Sequence, residues 1–191
     1  MGILIETENF ISSDSCEDII KRYGHTLQQA SVLSGESGVV DHRYRIAEGC
    51  WISDTSDKLI ESIKKRVSIL TGMPLCNQES PHLVRYDRGG KYDAHNDYFL
   101  EDDATFEAEC TKRGGQRVYT CVIYLNEGFS GGETDFPRLN QMVIPKTGKI
   151  AFWRNVDENM QPLRESLHAA MPIASGTKWV LIFWIRERKF T

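Results

Sequence analysis

Residues 117–125 read Arg-Val-Tyr-Thr-Cys-Val-Ile-Tyr-Leu and residues 178–186 read Lys-Trp-Val-Leu-Ile-Phe-Trp-Ile-Arg, and these two stretches decide the fold class. Both are rich in β-branched and aromatic residues, which favour strands. Shorter runs of the same character, separated by turns that contain glycine or proline, occupy much of the chain from residue 80 onward. The pattern predicts at least six or seven short strands, arranged as an antiparallel double-sheet barrel.

Two helices are predicted before the strands. The first is capped by Asp14, has an acidic residue three positions later, and runs to about Tyr23. The second is capped by Ser53 or Asp54, repeats apolar residues at helical spacing, and ends at Gly72. We expect both helices to pack on one outer face of the barrel, which makes the fold mainly β with α, in the α+β class.

Length and composition favour one compact domain over residues 1–191. The chain has no internal repeat and no linker rich in Pro, Gly or Ser. No apolar run approaches the roughly 18 residues of a membrane span, so no membrane partner is expected. The N-terminal residues resemble neither a signal peptide nor a transit peptide, which predicts a cytoplasmic protein, or one of the host cytoplasm if the source is a phage or virus.

Charge and cysteine content argue against other classes of protein, although a local basic groove stays open. The net charge of −4 argues against a protein that binds nucleic acid mainly through phosphate contacts. The five cysteines are odd in number and include no Cys-x-x-Cys pair, so they indicate neither a zinc ribbon nor a disulfide framework.

The triplet His95-Asn96-Asp97 carries the first chemical signal. Alternate residues of an extended strand face the same way, so His95 and Asp97 can offer a nitrogen and an oxygen to one point. His168, 71 positions beyond Asp97, is the candidate third ligand. Two histidines and one carboxylate that leave other coordination positions open are typical of non-haem Fe(II) oxygenases. Taken alone, a His-x-Asp is more often a surface turn or a hydrogen-bonded pair.

Residues 99–116 are first acidic, then basic, and end in Gly114-Gly115. This composition predicts a surface loop. Two interpretations stay open for it: the loop closes over a bound substrate, or it is a disordered excursion.

Several blocks of sequence follow one another in a recognisable order. They are Leu83 to Tyr86, Gly89 to Tyr92, His95 to Asp97, Tyr124 to Asn126, Gly131 to Pro137, His168 to Ile173, Gly176 to Trp179 and Trp184 to Arg188. These blocks resemble the 2-oxoglutarate and Fe(II)-dependent prolyl 4-hydroxylase family, in its small bacterial, phage or viral form. The similarity covers roughly residues 80–188, and the blocks together are far more specific than any one of them. The resemblance implies a double-stranded β-helix (a cupin-like jelly roll) as the catalytic core, with residues 1–79 as a helical support region.

The resemblance implies His95, Asp97 and His168 as iron ligands, in agreement with the spacing. It also implies Lys178 as the residue that binds the far carboxylate of 2-oxoglutarate. Lys178 stands beside apolar strand residues, where an unpaired ammonium would be costly unless an anion bound it. The alternative is a lysine at a strand entry that simply reaches solvent.

Six further residues receive roles from the resemblance. The cosubstrate residues are Tyr86, whose hydroxyl would help to hold 2-oxoglutarate, Thr134, a second hydroxyl at the same carboxylate, and Trp184, which would line the pocket or pack beneath it. The substrate residues are Tyr92, which would pack on the peptide, and Arg117 and Arg186, which would bind its backbone carbonyls. For both arginines the alternative is a solvent-facing strand residue. Trp153 and Trp179 are expected in the core, and His25, His42 and His82 receive no role.

The expected activity is hydroxylation of proline in a peptide or protein, coupled to oxidative decarboxylation of 2-oxoglutarate. The expected cofactors are Fe(II), 2-oxoglutarate and O2, with ascorbate as a candidate reductant, and the iron centre acts without a separate acid or base residue. One alternative keeps the reaction but takes a free amino acid, a small molecule or a nucleobase. Another is a non-catalytic jelly-roll binding module, whose signature would be a missing ligand, yet all three ligands and Lys178 are present.

Overall fold

The computed structural model describes residues 2–34, 37–39, 41–53, 56–101 and 105–191. Two α-helices are described, α1 (Ser13–Tyr23) and α2 (Lys58–Thr71), and neither is long and apolar enough to cross a membrane. Shorter helical turns cover Leu75–Asn77, Glu107–Lys112 and Arg164–Ser166. The strands, in chain order, are β1 (Leu4–Thr7), β2 (Gln28–Gln29), β3 (Val32–Ser34), β4 (Ser37–Val39), β5 (Arg45–Ile46), β6 (Glu48–Trp51), β7 (His82–Tyr86), β8 (Lys91–His95), β9 (Arg117–Tyr124), β10 (Ser130–Gly131), β11 (Thr134–Phe136), β12 (Gln141–Val143), β13 (Ile150–Arg154), β14 (His168–Ala170), β15 (Ile173–Ser175) and β16 (Lys178–Arg186).

The strands form two principal antiparallel sheets. The larger sheet has the order β1-β13-β9-β16-β7-β6-β2, and the smaller has the order β12-β11-β14-β8-β5. Two-stranded pairs, β10 with β15 and β3 with β4, complete the described strands. The predicted arrangement of two antiparallel sheets with accompanying helices is therefore confirmed.

Successive side chains of a strand point to opposite faces of a sheet, and both faces of the larger sheet carry apolar residues. On β16, Leu181 and Phe183 belong to a core cluster that includes residues of α1 and α2 such as Ile19 and Ile63. The intervening Val180 and Ile182 belong to a second cluster shared with the smaller sheet. The helices thus cover the outer face, and the inner face is free to form a site between the sheets.

The helix caps differ from the sequence prediction. The side chain of Ser12, and not that of Asp14, accepts the capping bond of α1. Asp57 caps α2, accepting from the amides at 59 and 60, and its second carboxylate oxygen accepts from the Tyr23 hydroxyl at 2.6 Å. Ser53 is therefore not the cap, and Asp54 lies outside the described residues. Asp57 takes this place because it can join α2 to the end of α1.

Two segments carry more structure than the sequence predicted. Residues 28–51 supply β2, β5 and β6, which extend the edges of both sheets. The predicted loop at 99–116 contains the helical turn Glu107–Lys112, in which Glu109 and Cys110 are buried. The interpretation of the whole segment as a surface loop is therefore wrong for these residues.

Candidate active site

His95, Asp97 and His168 come together between the two sheets. Their candidate ligand atoms all lie within 4.8 Å of one another. His95 ends β8 and His168 begins β14, and the two residues are direct partners across these neighbouring strands. Asp97 lies beyond the end of β8, where the chain bends, so the prediction that it continues the strand is wrong. The bend still directs its carboxylate inward, with oxygens 3.8 Å from His95 Nε2 and 3.6 Å from His168 Nε2.

Hydrogen bonds orient all three candidate ligands. The Nδ1 atoms of His95 and His168 each lie 2.8 Å from a backbone carbonyl oxygen, at residues 93 and 166. A proton on Nδ1 leaves the Nε2 lone pair facing the common point, the arrangement typical of metal-bound histidines. Thr120 Oγ1 donates to Asp97 Oδ2 at 2.6 Å, and Asn155 Nδ2 donates to Thr120 Oγ1 at 2.8 Å.

The electrostatics of this cluster fit a divalent cation. Burial, followed by the neighbouring His168, lowers the pKa of His95 to about 3, so its imidazole is neutral at physiological pH. Burial opposes ionisation of Asp97, but His168 and His95 outweigh it and the pKa of the carboxyl is lowered. A neutral imidazole and a carboxylate are the protonation states that ligate a metal.

Aromatic rings enclose the cluster. Tyr92 stacks on His95 with ring centroids 3.6 Å apart, and Trp153 lies 4.5 Å from His168. Trp153 was predicted only as a core residue, and it is fully buried, but it also lines the cavity beside the ligands. These rings restrict access to the candidate metal position from two sides.

A cavity runs from the ligands to Lys178, which is 2% exposed. Its Nζ donates to the carbonyl oxygen of Gly132 at 2.6 Å and lies 5.4 Å from the ring centroids of Tyr86 and Tyr124. None of the ion pairs found among the described residues includes Lys178. Burial lowers its pKa to about 7. This geometry does not fit the alternative of a solvent-reaching lysine, and it places a cation where an anionic ligand could neutralise it.

The other residues predicted at the cosubstrate also line this cavity. Tyr86 faces Lys178 directly across the β7–β16 pair, and burial raises the pKa of its hydroxyl, which keeps it a hydrogen-bond donor. Thr134 Oγ1 lies 2.7 Å from the hydroxyl of Tyr124, a residue the sequence analysis assigned no role. Trp184 lines the cavity near its mouth.

A wider groove opens outside the cavity and shares several of its lining residues. Tyr92 stands at the boundary between the two. Trp51, 52% exposed, stacks on the buried His82 at a centroid distance of 4.4 Å, and both rings lie within 6 Å of Trp184. Burial lowers the pKa of His82 to about 3, so this aromatic wall is uncharged.

The two arginines predicted at the substrate have different positions. Arg117 lines the groove, and its Nε and Nη2 bind the two oxygens of Glu79 at 2.7 and 3.0 Å. Arg186 is 0% exposed and lines neither the cavity nor the groove. It bonds to Glu79 and Glu109 and to backbone carbonyls. The expectation that Arg186 binds substrate carbonyls does not fit this position, because protein groups already use its donors.

Arg45 was missed in the sequence analysis. It is 6% exposed, lines both the cavity and the groove, and lies 4.7 Å from the ring centroid of Tyr92. Its Nη1 donates to the carbonyl oxygen of Ser31, while its buried Nε has no hydrogen-bond partner in the part of the chain that the structure describes. The only sequence signal for Arg45 is that residues 45–51 are faintly similar to the prolyl 4-hydroxylase family.

Comparisons with known proteins agree with this site. A model of the 2OG-Fe(II) oxygenase superfamily matches residues 81–186. An inferred prolyl 4-hydroxylase of Acanthamoeba polyphaga mimivirus is 36% identical over 96% of this chain and 74% of its own length. Prolyl 4-hydroxylase 5 of Arabidopsis thaliana is 31% identical over 95% of this chain and 67% of its own length.

A solved structure shows the same architecture. The viral collagen prolyl hydroxylase of Paramecium Bursaria Chlorella virus-1, in complex with 2OG, superposes with a TM-score of 0.75 at 29% identity. The match covers 97% of this chain and 96% of that one, which confirms the predicted jelly-roll fold. The chain therefore belongs to the 2OG-Fe(II) oxygenase superfamily, among its prolyl 4-hydroxylase-like members.

Proposed function

We propose that this protein hydroxylates a proline residue in a peptide or protein and couples the reaction to oxidative decarboxylation of 2-oxoglutarate to succinate and CO2. The observation that carries the proposal is one cavity lined both by His95, Asp97 and His168 and by the buried Lys178. A dicarboxylate that reaches a metal with one end and an ammonium with the other matches this pair of anchors.

The residues around the cavity have distinct roles in the proposal. His95, Asp97 and His168 would hold Fe(II), which together with 2-oxoglutarate and O2 supplies the oxidative chemistry when bound. Lys178 would bind the far carboxylate of 2-oxoglutarate. The hydroxyl of Tyr86 would donate to the same carboxylate. Other polar and apolar side chains complete the wall and exclude water: Thr134, Val122, Val180, Ile182 and Trp184.

The groove supports a peptide substrate over a free amino acid or another small molecule. It continues outward from the cavity past Tyr92 and is walled by the rings of Trp51 and Trp184. Proline-rich segments adopt an extended polyproline helix with little entropy to lose, and they dock on aromatic-lined grooves. Tyr92, stacked on a metal ligand, would contact the target proline ring, and Arg117 would face the peptide backbone.

The test is succinate production by the Fe(II)-loaded protein with 2-oxoglutarate, O2 and ascorbate. A peptide of repeating Pro-Pro-Gly is compared with the same peptide carrying alanine in place of proline, and His168→Ala serves as the inactive control. We expect turnover and the gain of one oxygen atom only with the proline peptide. Equal turnover with both peptides would direct the search to free amino acids, other small molecules or nucleobases. No succinate from iron-replete protein would favour a non-catalytic binding module.

A further inference from the structure

Five alternating charges form a continuous chain beneath one wall of the groove, in the order Arg113, Glu109, Arg186, Glu79, Arg117. Arg113 Nη1 donates to Glu109 Oε1 at 3.1 Å, and Arg186 Nη2 donates to the other oxygen of the same carboxylate. Arg186 Nε and Arg117 Nε then share Glu79 Oε1, at 2.6 and 2.7 Å. The four residues after Arg113 are all buried.

Arg186 is the central link of this chain and joins three separate segments. From the end of β16 it reaches Glu79, which precedes β7, and Glu109, in the helical turn Glu107–Lys112. Its Nη1 also donates to the carbonyl oxygen of Gly115 at 2.8 Å. All three nitrogens of the guanidinium therefore bind protein groups. The planar fork is suited to this task, because it fixes two carboxylates and a carbonyl at once.

The chain lies along the groove, and it contacts the wall of the cavity through Arg117, whose guanidinium lies 4.2 Å from the ring centroid of Trp184. Glu79, Glu109, Arg113 and Arg117 all line the groove, whereas Arg186 lies behind them. None of the five lines the cavity that leads from the candidate metal ligands to Lys178. A change in the chain should therefore move the surface that a peptide would contact and leave the 2-oxoglutarate pocket in place.

We infer that Arg186 is a positioning residue for peptide recognition, holding Glu79 and Glu109 so that Arg117 and the 107–112 turn present a fixed groove wall. This inference rests on the proposed function, because it concerns the substrate of that same site. Of the partners found among the described residues, loss of Arg186 leaves Glu79 with Arg117 and Glu109 with the half-exposed Arg113. Buried carboxylates with missing partners rearrange or draw in water, since an unpaired buried charge is costly.

The experiment compares Arg186→Gln and Glu109→Gln with the control Arg188→Gln. Arg188 is a matched control because it also contacts the turn, donating to the carbonyl oxygen of Cys110, but its side chain is 55% exposed and outside the chain of charges. The assay measures KM for the Pro-Pro-Gly peptide, KM for 2-oxoglutarate, and succinate formed without peptide.

We expect the peptide KM to rise about tenfold or more in both test variants, because a displaced Arg117 would lose a hydrogen bond from its charged group to the peptide. The KM for 2-oxoglutarate and the peptide-independent turnover should stay at wild-type values, as should all three quantities in Arg188→Gln. Arg186→Lys should fall between Gln and wild type, because an ammonium restores the charge without the fork. The double variant Arg186→Gln/Glu109→Gln should be no worse than the poorer single variant, since both break one network.

An unchanged peptide KM in folded variants would overturn the inference, and so would an equal rise in both KM values, which indicates general damage. If Arg186→Gln does not fold, Glu109→Gln decides, because it removes a charge but keeps the side-chain shape. Failure of the proposed function is a separate result, in which the wild-type protein itself does not respond to the proline peptide.

Hydrogen exchange tests the positioning role directly. Amides of residues 107–116 should exchange faster in Arg186→Gln than in Arg188→Gln, and equal rates would overturn the inference.

Discussion

Replacing Lys178 by methionine should stabilise the ligand-free protein and abolish its response to 2-oxoglutarate. The ammonium is buried without an ion-pair partner among the described residues, and its one hydrogen bond goes to the carbonyl oxygen of Gly132. Such a group is costly to bury until an anion binds it. Methionine has a similar length and is apolar, so it can fill the same space without the charge.

The magnitude follows from the pKa of Lys178, which burial lowers from 10.5 to about 7. At about 1.4 kcal/mol per pH unit, the buried ammonium lowers the free energy of unfolding by roughly 4 kcal/mol at pH 7. Between pH 7 and 10.5 the unfolded chain binds more protons than the folded protein. The free energy of unfolding therefore rises with pH across this window. The destabilisation caused by the buried ammonium is complete below pH 7 and absent above pH 10.5. Lys178→Met also leaves the Gly132 carbonyl without its hydrogen bond, which lowers the free energy of unfolding by about 1–3 kcal/mol. The net gain in the free energy of unfolding is therefore about 1–3 kcal/mol.

The assay is thermal unfolding at pH 7 and at pH 10, with and without 2-oxoglutarate and a divalent metal. We expect Tm of Lys178→Met to exceed that of wild type by about 2–12 °C at pH 7, since each kcal/mol is worth about 2–4 °C at this size. The difference should shrink at pH 10. 2-Oxoglutarate should raise Tm of the wild-type protein but not that of Lys178→Met, because loss of a buried charge partner weakens binding roughly 30-fold or more.

Lys64→Met is the matched control, since Lys64 is a partly buried lysine on α2, outside the site, whose pKa burial also lowers. It should keep the full stabilisation by 2-oxoglutarate. A Lys178→Met protein that is less stable than wild type at pH 7, or that binds 2-oxoglutarate as tightly, would refute the reasoning.

Three other substitutions test separate parts of the site. Thr120→Val removes the hydrogen bond to the carboxylate ligand, and metal affinity measured by Co(II) titration should fall about 10- to 100-fold; an unchanged affinity would show that the bond is dispensable. Gly49→Ala would place a Cβ 2.5 Å from Nε2 of His82, so the free energy of unfolding in urea should fall by about 1–3 kcal/mol. A wild-type urea midpoint would contradict that packing. Arg45→Gln should raise the peptide KM about tenfold, whereas Arg43→Gln, at an exposed arginine two positions earlier, should not; equal values for the two variants would exclude a substrate role for Arg45.

The strongest strands were predicted almost to the residue. The long apolar runs at 117–125 and 178–186 became β9 (Arg117–Tyr124) and β16 (Lys178–Arg186), because both lie in the centre of the larger sheet and are covered on both faces. The strands at 28–51 could not be found in this way. They are two to four residues long. β6 pairs with β7 and β5 pairs with β8, whereas β2 adds to β6 and β3 pairs with β4. A pattern of alternating side chains cannot show in two residues.

In the candidate site, too, some residues could be predicted from the sequence and others could not. The proposed metal ligands could be predicted because His95 and Asp97 are two positions apart, and because His168 lies in a block that resembles the prolyl 4-hydroxylase family. The partners of Glu79 lie 38 and 107 positions away, and no local spacing connects them. For this reason Arg186 was assigned to the substrate on resemblance alone. Its burial depends on the contact between β16 and the 107–112 turn, which the sequence alone does not show.

The last strand, β16, explains why the two halves of the site are coupled in the fold. Its inward residues run from Lys178, through Val180 and Ile182, to Trp184, and a bulge before Arg186 re-aims that side chain beneath the groove. At about 3.3 Å per residue, one strand spans roughly 26 Å from the proposed cosubstrate anchor to the centre of the charge chain. A one-residue shift in its register would turn Lys178 towards the helices and put Thr177 or Trp179 in its place. The pairing of β16 with β7 and β9 on both sides therefore fixes the distance between Lys178 and the groove as well as the core.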